Sequence, residues 1–310
     1  MSRLSRILLL ALALAAASPA LAAEADKLAR LDADLKALAA FDYGKDAGPL
    51  SRVEDLVFAA VKDPARREAV EQGLLRTLGG DATVAAKSFI CRQLRTIGTA
   101  RSVRVLEPML ADKELGHMAR YALGRMEDPA AEEALRRALA KTSGPLQAGI
   151  ASSLGDRASA KAVPDLARLL GSSDALVADA AASALGRTGG PAAVKALEAA
   201  RTGAAARLRP AIDDAMLACA GRYLTAGRKE DAAKIYEVYN SPKMPKHIQI
   251  GALGGLVAAK GDGAVDLLVA AIRNPDAEIR TSAIGFARSA TGPAVTKALV
   301  GLLPTLVPEA

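Results

Sequence analysis

The chain has 310 residues, of which 51% are hydrophobic but only 3% aromatic, with no Trp and a formal net charge of +7. Ala and Leu carry most of the apolar mass, which suits closely packed helices, since Ala has the best helix propensity and lets backbones approach; the β-branched runs that would mark strands are absent. The basic excess is small and dispersed, which excludes the clustered Lys/Arg face of a nucleic-acid-binding protein.

The first element in chain order is an export signal. Arg3 and Arg6 form a positive start, Ile7–Ala17 is an apolar run, Ser18-Pro19 breaks it, and Ala20-Leu21-Ala22 is a small-x-small cleavage site. The run is about 11 residues, against the ~20 that a spanning helix needs, so cleavage after Ala22 is expected rather than anchoring. No Cys follows the site that could carry a lipid. The mature chain then holds 39 basic residues against 34 acidic, a net of +5, because Arg3 and Arg6 leave with the signal. Its expected location is periplasmic or extracellular. Residues 23–48 read as a charged amphipathic helix, Asp26 to Ala40, and a loop, Asp42 to Gly48. Residues 49–99 read as irregular helix pairs, degenerate copies of a repeat that is regular only from residue 100: Leu74-Leu75-Arg76-Thr77-Leu78-Gly79 and Leu94-Arg95-Thr96-Ile97-Gly98 keep a recurring helix ending without a fixed interval.

From residue 100 to 310 the chain repeats. Segments starting at Leu115, Leu146, Val177, Leu208, Ile248 and Ile279 succeed one another at intervals of 31, 31, 31, 40 and 31 residues. Position 1 is always aliphatic. Position 5 is Ala119, Ile150, Ala181, Ile212, Ala252 and Ala283, and position 9 is Leu123, Leu154, Leu185, Met216, Leu256 and Ala287. The spacing i, i+4, i+8 puts all three on one helical face. A second helix type lies between these, with stripes Val103/Leu106/Leu110, Val163/Leu166/Leu170 and Val265/Leu268/Ile272. Pro129, Pro191 and Pro293 mark its starts, where a missing N–H does no harm. Asp112, Asp174 and Asp276 stand between the first and second helix of a repeat, placed for an N-cap or tight turn. Gly189-Gly190 and Gly292 end the second helix. The predicted fold is all-α, a right-handed α-solenoid of stacked antiparallel helix pairs, in which neighbouring pairs bury one another's apolar faces.

The aliphatic-x-x-x-Ala-x-x-x-Leu-Gly pattern of the second helix, with Ala-Val-x-x-Leu in the next first helix, resembles the HEAT-repeat family in its short bacterial, phycobilisome-lyase-like form. The family's basic residue at position 2 of the second helix is present only at Arg209 and Arg280. The interval of 40 is accounted for by a longer unit at about 205–247, where Gly227 to Tyr236 resembles a tetratricopeptide helix. About four helix pairs separate Cys91 from Cys219, too far for a disulfide, so both are expected to be small buried hydrophobes.

Enzyme signatures for zinc hydrolysis, phosphate binding, acyl transfer and dinucleotide binding are absent. The two histidines, His117 and His247, are more than 100 residues apart, and Asp213-Asp214 diverge by about 100° on a helix, unsuited to flanking one bond. No catalytic residue, metal or cofactor is expected. Binding is. Positions 3, 7 and 11 of the second helix face away from positions 1, 5 and 9, and in such repeats they line the concave side. They give His117, Tyr121 and Arg125 in one repeat and Asp179, Ser183 and Arg187 in another, with Ala148, Ser152 and Asp156 as open floor between. A second candidate surface is Tyr236, Tyr239, Lys243, Lys246 and His247, basic residues interleaved with aromatics, although tetratricopeptide-like helices also need larger core residues. Arg92, Arg95, Arg101 and Arg104 straddle one turn, where they complement a helix C-terminus. The expected function is an exported scaffold or adaptor binding a protein or polymer along its concave face, with no nucleic-acid partner. The alternatives are the solenoid arm of a longer protein with a catalytic or carbohydrate-binding domain, and a lyase-type HEAT protein. The last helix, from Ala294, is of the first type and ends in an apolar stretch, so a continuation beyond Ala310 or end-to-end self-association is expected.

Overall fold

A computed structural model describes residues 30–288, 290, 293–302 and 304; the expected signal sequence and the last residues, 305–310, lie outside them. No strand occurs among the described residues. The chain divides into two compact units, Met1–Leu135 and Arg136–Ala310.

In the first unit, α1 covers residues 30–39, followed by α2 (Gly48–Ala60), α3 (Pro64–Leu78), α4 (Val84–Ile97), α5 (Ala100–Met109) and α6 (Gly116–Arg125). The helix α7, Pro129–Leu139, spans the division. Helices of two kinds alternate. The even-numbered ones, here called B helices, stack on one another, α2 on α4 and α4 on α6, while the odd-numbered A helices form a second layer. Leu31 and Leu35 of α1 pack over Gly73 of α3, where a Cβ would lie 2.6 Å from Leu35 Cδ1. Consecutive A helices are tied by a buried carboxylate: Glu71 of α3, 2% exposed, accepts hydrogen bonds from Thr99 N (2.8 Å), Thr99 Oγ1 (2.9 Å) and Ser102 Oγ (2.5 Å). It thereby satisfies donors at the start of α5 and sets negative charge against that helix's positive end.

The second unit continues with α8 (Gly144–Asp156), a 3₁₀ turn (Ala160–Ala162), α9 (Val163–Leu169), α10 (Ala175–Thr188), α11 (Gly190–Gly203), α12 (Arg209–Thr225), α13 (Lys229–Tyr239), α14 (Lys246–Lys260), a second 3₁₀ turn (Gly261–Ala264), α15 (Val265–Ile272), α16 (Ala277–Ala287) and α17 (Pro293–Leu302). The B helices α8, α10, α12, α14 and α16 each pack on the next, and each A helix from α9 to α15 packs on the B helix that comes after it. Repeat positions 5 and 9 are buried in every B helix except at Ala287, which is half-buried. The predicted loop chemistry is present. Asp174 caps α10 by accepting from Leu176 N (2.9 Å) and Val177 N (3.4 Å). Asp276 does the same for α16, and Gly189 ends α10 at φ +66°. Asp112 differs: it accepts from Glu114 N and Leu115 N, one turn ahead of α6. Those backbone bonds hold its carboxyl below the ordinary carboxylate value. Asp174→Ala is expected to destabilise by ~1 kcal/mol through loss of the cap, measured by urea denaturation.

The B helices α8, α10 and α12 approach closely because the repeat's tenth position is glycine at Gly155 and Gly186. A Cβ on Gly155 would lie 2.6 Å from Ala184 Cα, and one on Gly186 would lie 2.9 Å from Ala215 Cα. Where the interval lengthens to 40 residues, α12 is a 17-residue helix and a cleft of about 410 Å³ opens between α11 and α13. The centre of this widened repeat is filled by larger groups. Tyr236, 5% exposed, lays its ring against Gly255. Arg201 of α11 holds buried Asp213 of α12 at 2.5 Å, and its guanidinium lies 5.5 Å from the centre of the Tyr239 ring.

Cys91 and Cys219 are both buried free thiols. Burial pushes each up to about 12, only partly offset by Arg92 and Arg222 respectively, and the Cys219 thiol lies 3.7 Å from the Leu185 carbonyl. A thiol with a pKa so far above the solution pH is not a nucleophile. Both are expected to stay unmodified by iodoacetamide at pH 8 in the native chain and to react on unfolding, which intact-mass spectrometry reads directly.

Candidate functional site

In the second unit, α10 and α12 form a cleft on the B-helix face, away from the A layer. The close contact of Gly186 with Ala215 fixes their approach. Ala211, Ala215 and Ala218 floor the space, leaving about 520 Å³ above them, and Asp179, Ser183, Arg187, Arg207 and Asp214 surround it. The predicted trio Asp179, Ser183 and Arg187 therefore lines one cleft. Arg187 is held in place: it donates to Ser183 Oγ (2.6 Å) and to the Ser152 carbonyl (3.2 Å), and its Nε lies 2.9 Å from Asp156. Arg207, which the repeat periodicity does not single out, reaches the Ser172 carbonyl at 3.4 Å. Asp179 and Asp214 are exposed and form no ion pair among the described residues. Adjacent in sequence, Asp213 and Asp214 separate as helical geometry requires: Asp213 points inward to Arg201, Asp214 outward into the cleft.

In the first unit, His117, Tyr121 and Arg125 are all exposed on α6. The partner of Tyr121 is not legible in the sequence. Arg95 of α4 donates to its hydroxyl and stands 4.7 Å from its ring centre. A contact between different B helices leaves no trace in the spacing of either one.

Two expectations need correction. The second candidate surface is not one surface. Tyr236 and Tyr239 are 5% and 3% exposed, because the longer repeat has a gap that Ala and Leu would not fill. Burial pushes both phenols up, and neighbouring Asp213 adds to the effect at Tyr239. Lys243, Lys246 and His247 are exposed, but Lys246 is taken up by Asp276 (2.7 Å) and Glu278 (3.4 Å). Ala148, expected on the open face, is buried. Among the described residues no group of three or more His, Cys, Asp or Glu could hold a metal ion, and no helix is long and apolar enough to cross a membrane.

Stacked helix pairs with a charged B-helix face and an alanine floor define a helical repeat protein. Residues 133–214 match the model of HEAT repeats, and residues 117–141 match the PBS lyase HEAT-like repeat. Over these residues the chain is similar to HEAT repeats, the shorter match being to their phycobilisome-lyase-like form. Solved structures similar to this chain include the following two. One is the complex of CpcE and CpcF of phycocyanin lyase from Nostoc sp. PCC7120, at 23% identity over 63% of this chain and 79% of that chain, with a TM-score of 0.41. The other is human deoxyhypusine hydroxylase in complex with glycerol, at 16% identity over 86% of this chain and 97% of that chain, with a TM-score of 0.34. No curated protein matches the chain.

Proposed function

We propose that this protein is an exported, non-catalytic scaffold that binds a protein or polymer partner along the B-helix face of its repeats. The observation that carries the reading is the α10–α12 cleft. Its small-residue floor leaves room for an extended segment, its pinned cation, Arg187, is already oriented, and Asp179 and Asp214 are carboxylates without an ion-pair partner among the described residues. Such groups give register and specificity to an interface more than raw affinity. Export rests on the sequence at residues 1–22, and N-terminal sequencing of the secreted form is expected to begin near Ala23.

The test is affinity capture from the extracytoplasmic fraction, with the wild-type chain and the double variant Asp179→Arg/Asp214→Arg. Both side chains are exposed, so the melting temperature should stay within a few degrees. The expected result is loss of a partner that the wild type retains. An identical partner set from both baits would refute the assignment of the face.

A further inference from the structure

The first unit carries a different set of groups on its B-helix face. Phe58 of α2 is 84% exposed and Tyr121 of α6 41%. Between α2 and α6 lies α4, with Arg92 and Arg95. Phe58 stands one turn beyond Glu54, whose carboxylate accepts from Gln93 of α4 at 3.5 Å, so it borders α4 on the same side of α2. Arg92 rests over the Phe89 ring at 5.6 Å, and Arg95 rests over Tyr121 at 4.7 Å. Arg125 ends the row on α6. Neither Arg92, Arg95 nor Arg125 has an acidic partner among the described residues, whereas Arg52, Arg76 and Arg101 elsewhere in this unit each pair with a carboxylate.

We infer that this row binds an acidic segment of a partner protein, one that sets apolar or aromatic side chains among its carboxylates. The inference rests on the scaffold reading and adds the chemistry of the partner. Guanidinium groups stacked on aromatic rings are pre-oriented and keep free N–H donors, which match a carboxylate two at a time. An exposed Phe beside them offers an apolar anchor, and Tyr and Arg are the residues that dominate interface energetics. A nucleic acid fits less well. Its phosphates call for a longer basic track, and here three arginines are flanked by Phe58 and bordered by Glu54.

The test is fluorescence anisotropy of the full chain with a labelled synthetic peptide alternating Glu and Phe. Controls are a Ser–Phe peptide of equal length, heparin and a single-stranded oligonucleotide. The Glu–Phe peptide should bind, more weakly as salt rises, and the Ser–Phe peptide at least about tenfold more weakly. Arg92→Glu/Arg95→Glu should reduce affinity about tenfold or more. Arg125→Glu and Phe58→Ser, at exposed positions whose side chains have no hydrogen-bond or ion-pair partner among the described residues, should each weaken binding about threefold or more with unchanged circular dichroism. Equal affinity in all variants, or binding of heparin or oligonucleotide without the Glu–Phe peptide, overturns the inference. The Asp179→Arg/Asp214→Arg variant should bind the peptide normally. If it alone loses the native partner while no variant affects the peptide, the acidic-segment inference fails and the scaffold reading stands.

Discussion

Gly155→Ala and Gly186→Ala are each expected to destabilise the chain by about 2 kcal/mol, although the same change in an exposed helix interior would stabilise it by about 1 kcal/mol. The sign reverses because of what faces each glycine. An added Cβ at Gly155 meets Ala184 Cα at 2.6 Å and Cβ at 2.8 Å; at Gly186 it meets Ala215 Cα and carbonyl oxygen, each at 2.9 Å. These are mostly backbone atoms of the next B helix, which cannot swing aside as a side chain would. Relief requires the two helices to separate, and separation exposes Ala181, Leu185 and Ile212, all now buried. Thermal unfolding of the single variants and of Gly190→Ala, which has no atom in the way but sits at φ +81°, separates crowding from backbone strain. A rise in stability for Gly155→Ala would mean that the helices are further apart than described.

Arg201→Met is expected to cost about 3 kcal/mol, because it leaves the carboxylate of Asp213 buried without its cation. That side chain is only 6% exposed, whereas Arg201 is 39% exposed, so the penalty arises from Asp213 rather than from the arginine. Tyr239 lies beside the pair, with its ring 5.5 Å from the Arg201 guanidinium. Replacing both partners, Arg201→Met/Asp213→Leu, should recover most of the loss, since an apolar pair of similar volume needs no counter-charge. Urea denaturation of the two singles and the double gives the coupling directly. Additive losses would show that the pair does not act as one unit.

These two sites also mark how far the sequence could be read. The buried stripe of each B helix was legible because one face recurs at i, i+4, i+8, and Ala181 with Leu185 sits where that arithmetic puts it. The caps at Asp174 and Asp276 were legible because a turn between two apolar stripes needs an oxygen there. The rest depends on distant partners. Tyr236 reads as a surface aromatic until Gly255 is seen to make room for it. Glu71 is not singled out by the sequence, because its burial beneath Thr99 and Ser102 depends on the next A helix. Arg95 reads as a helix-end cation, but its partner is Tyr121, 26 residues away. Of the candidate site, Asp179, Ser183 and Arg187 came from periodicity within α10. Arg207 and Asp214 joined them only through the packing of α10 on α12.

The proposed binding along the B-helix face is decided by site-specific photo-crosslinking of the full chain. A benzophenone amino acid is placed in turn at Ser183, on the α10–α12 cleft, and at Lys195, on the exposed face of the A helix α11. Partner binding through the B helices predicts a crosslinked adduct from position 183 and none from position 195. An adduct from 195 with none from 183 would contradict it.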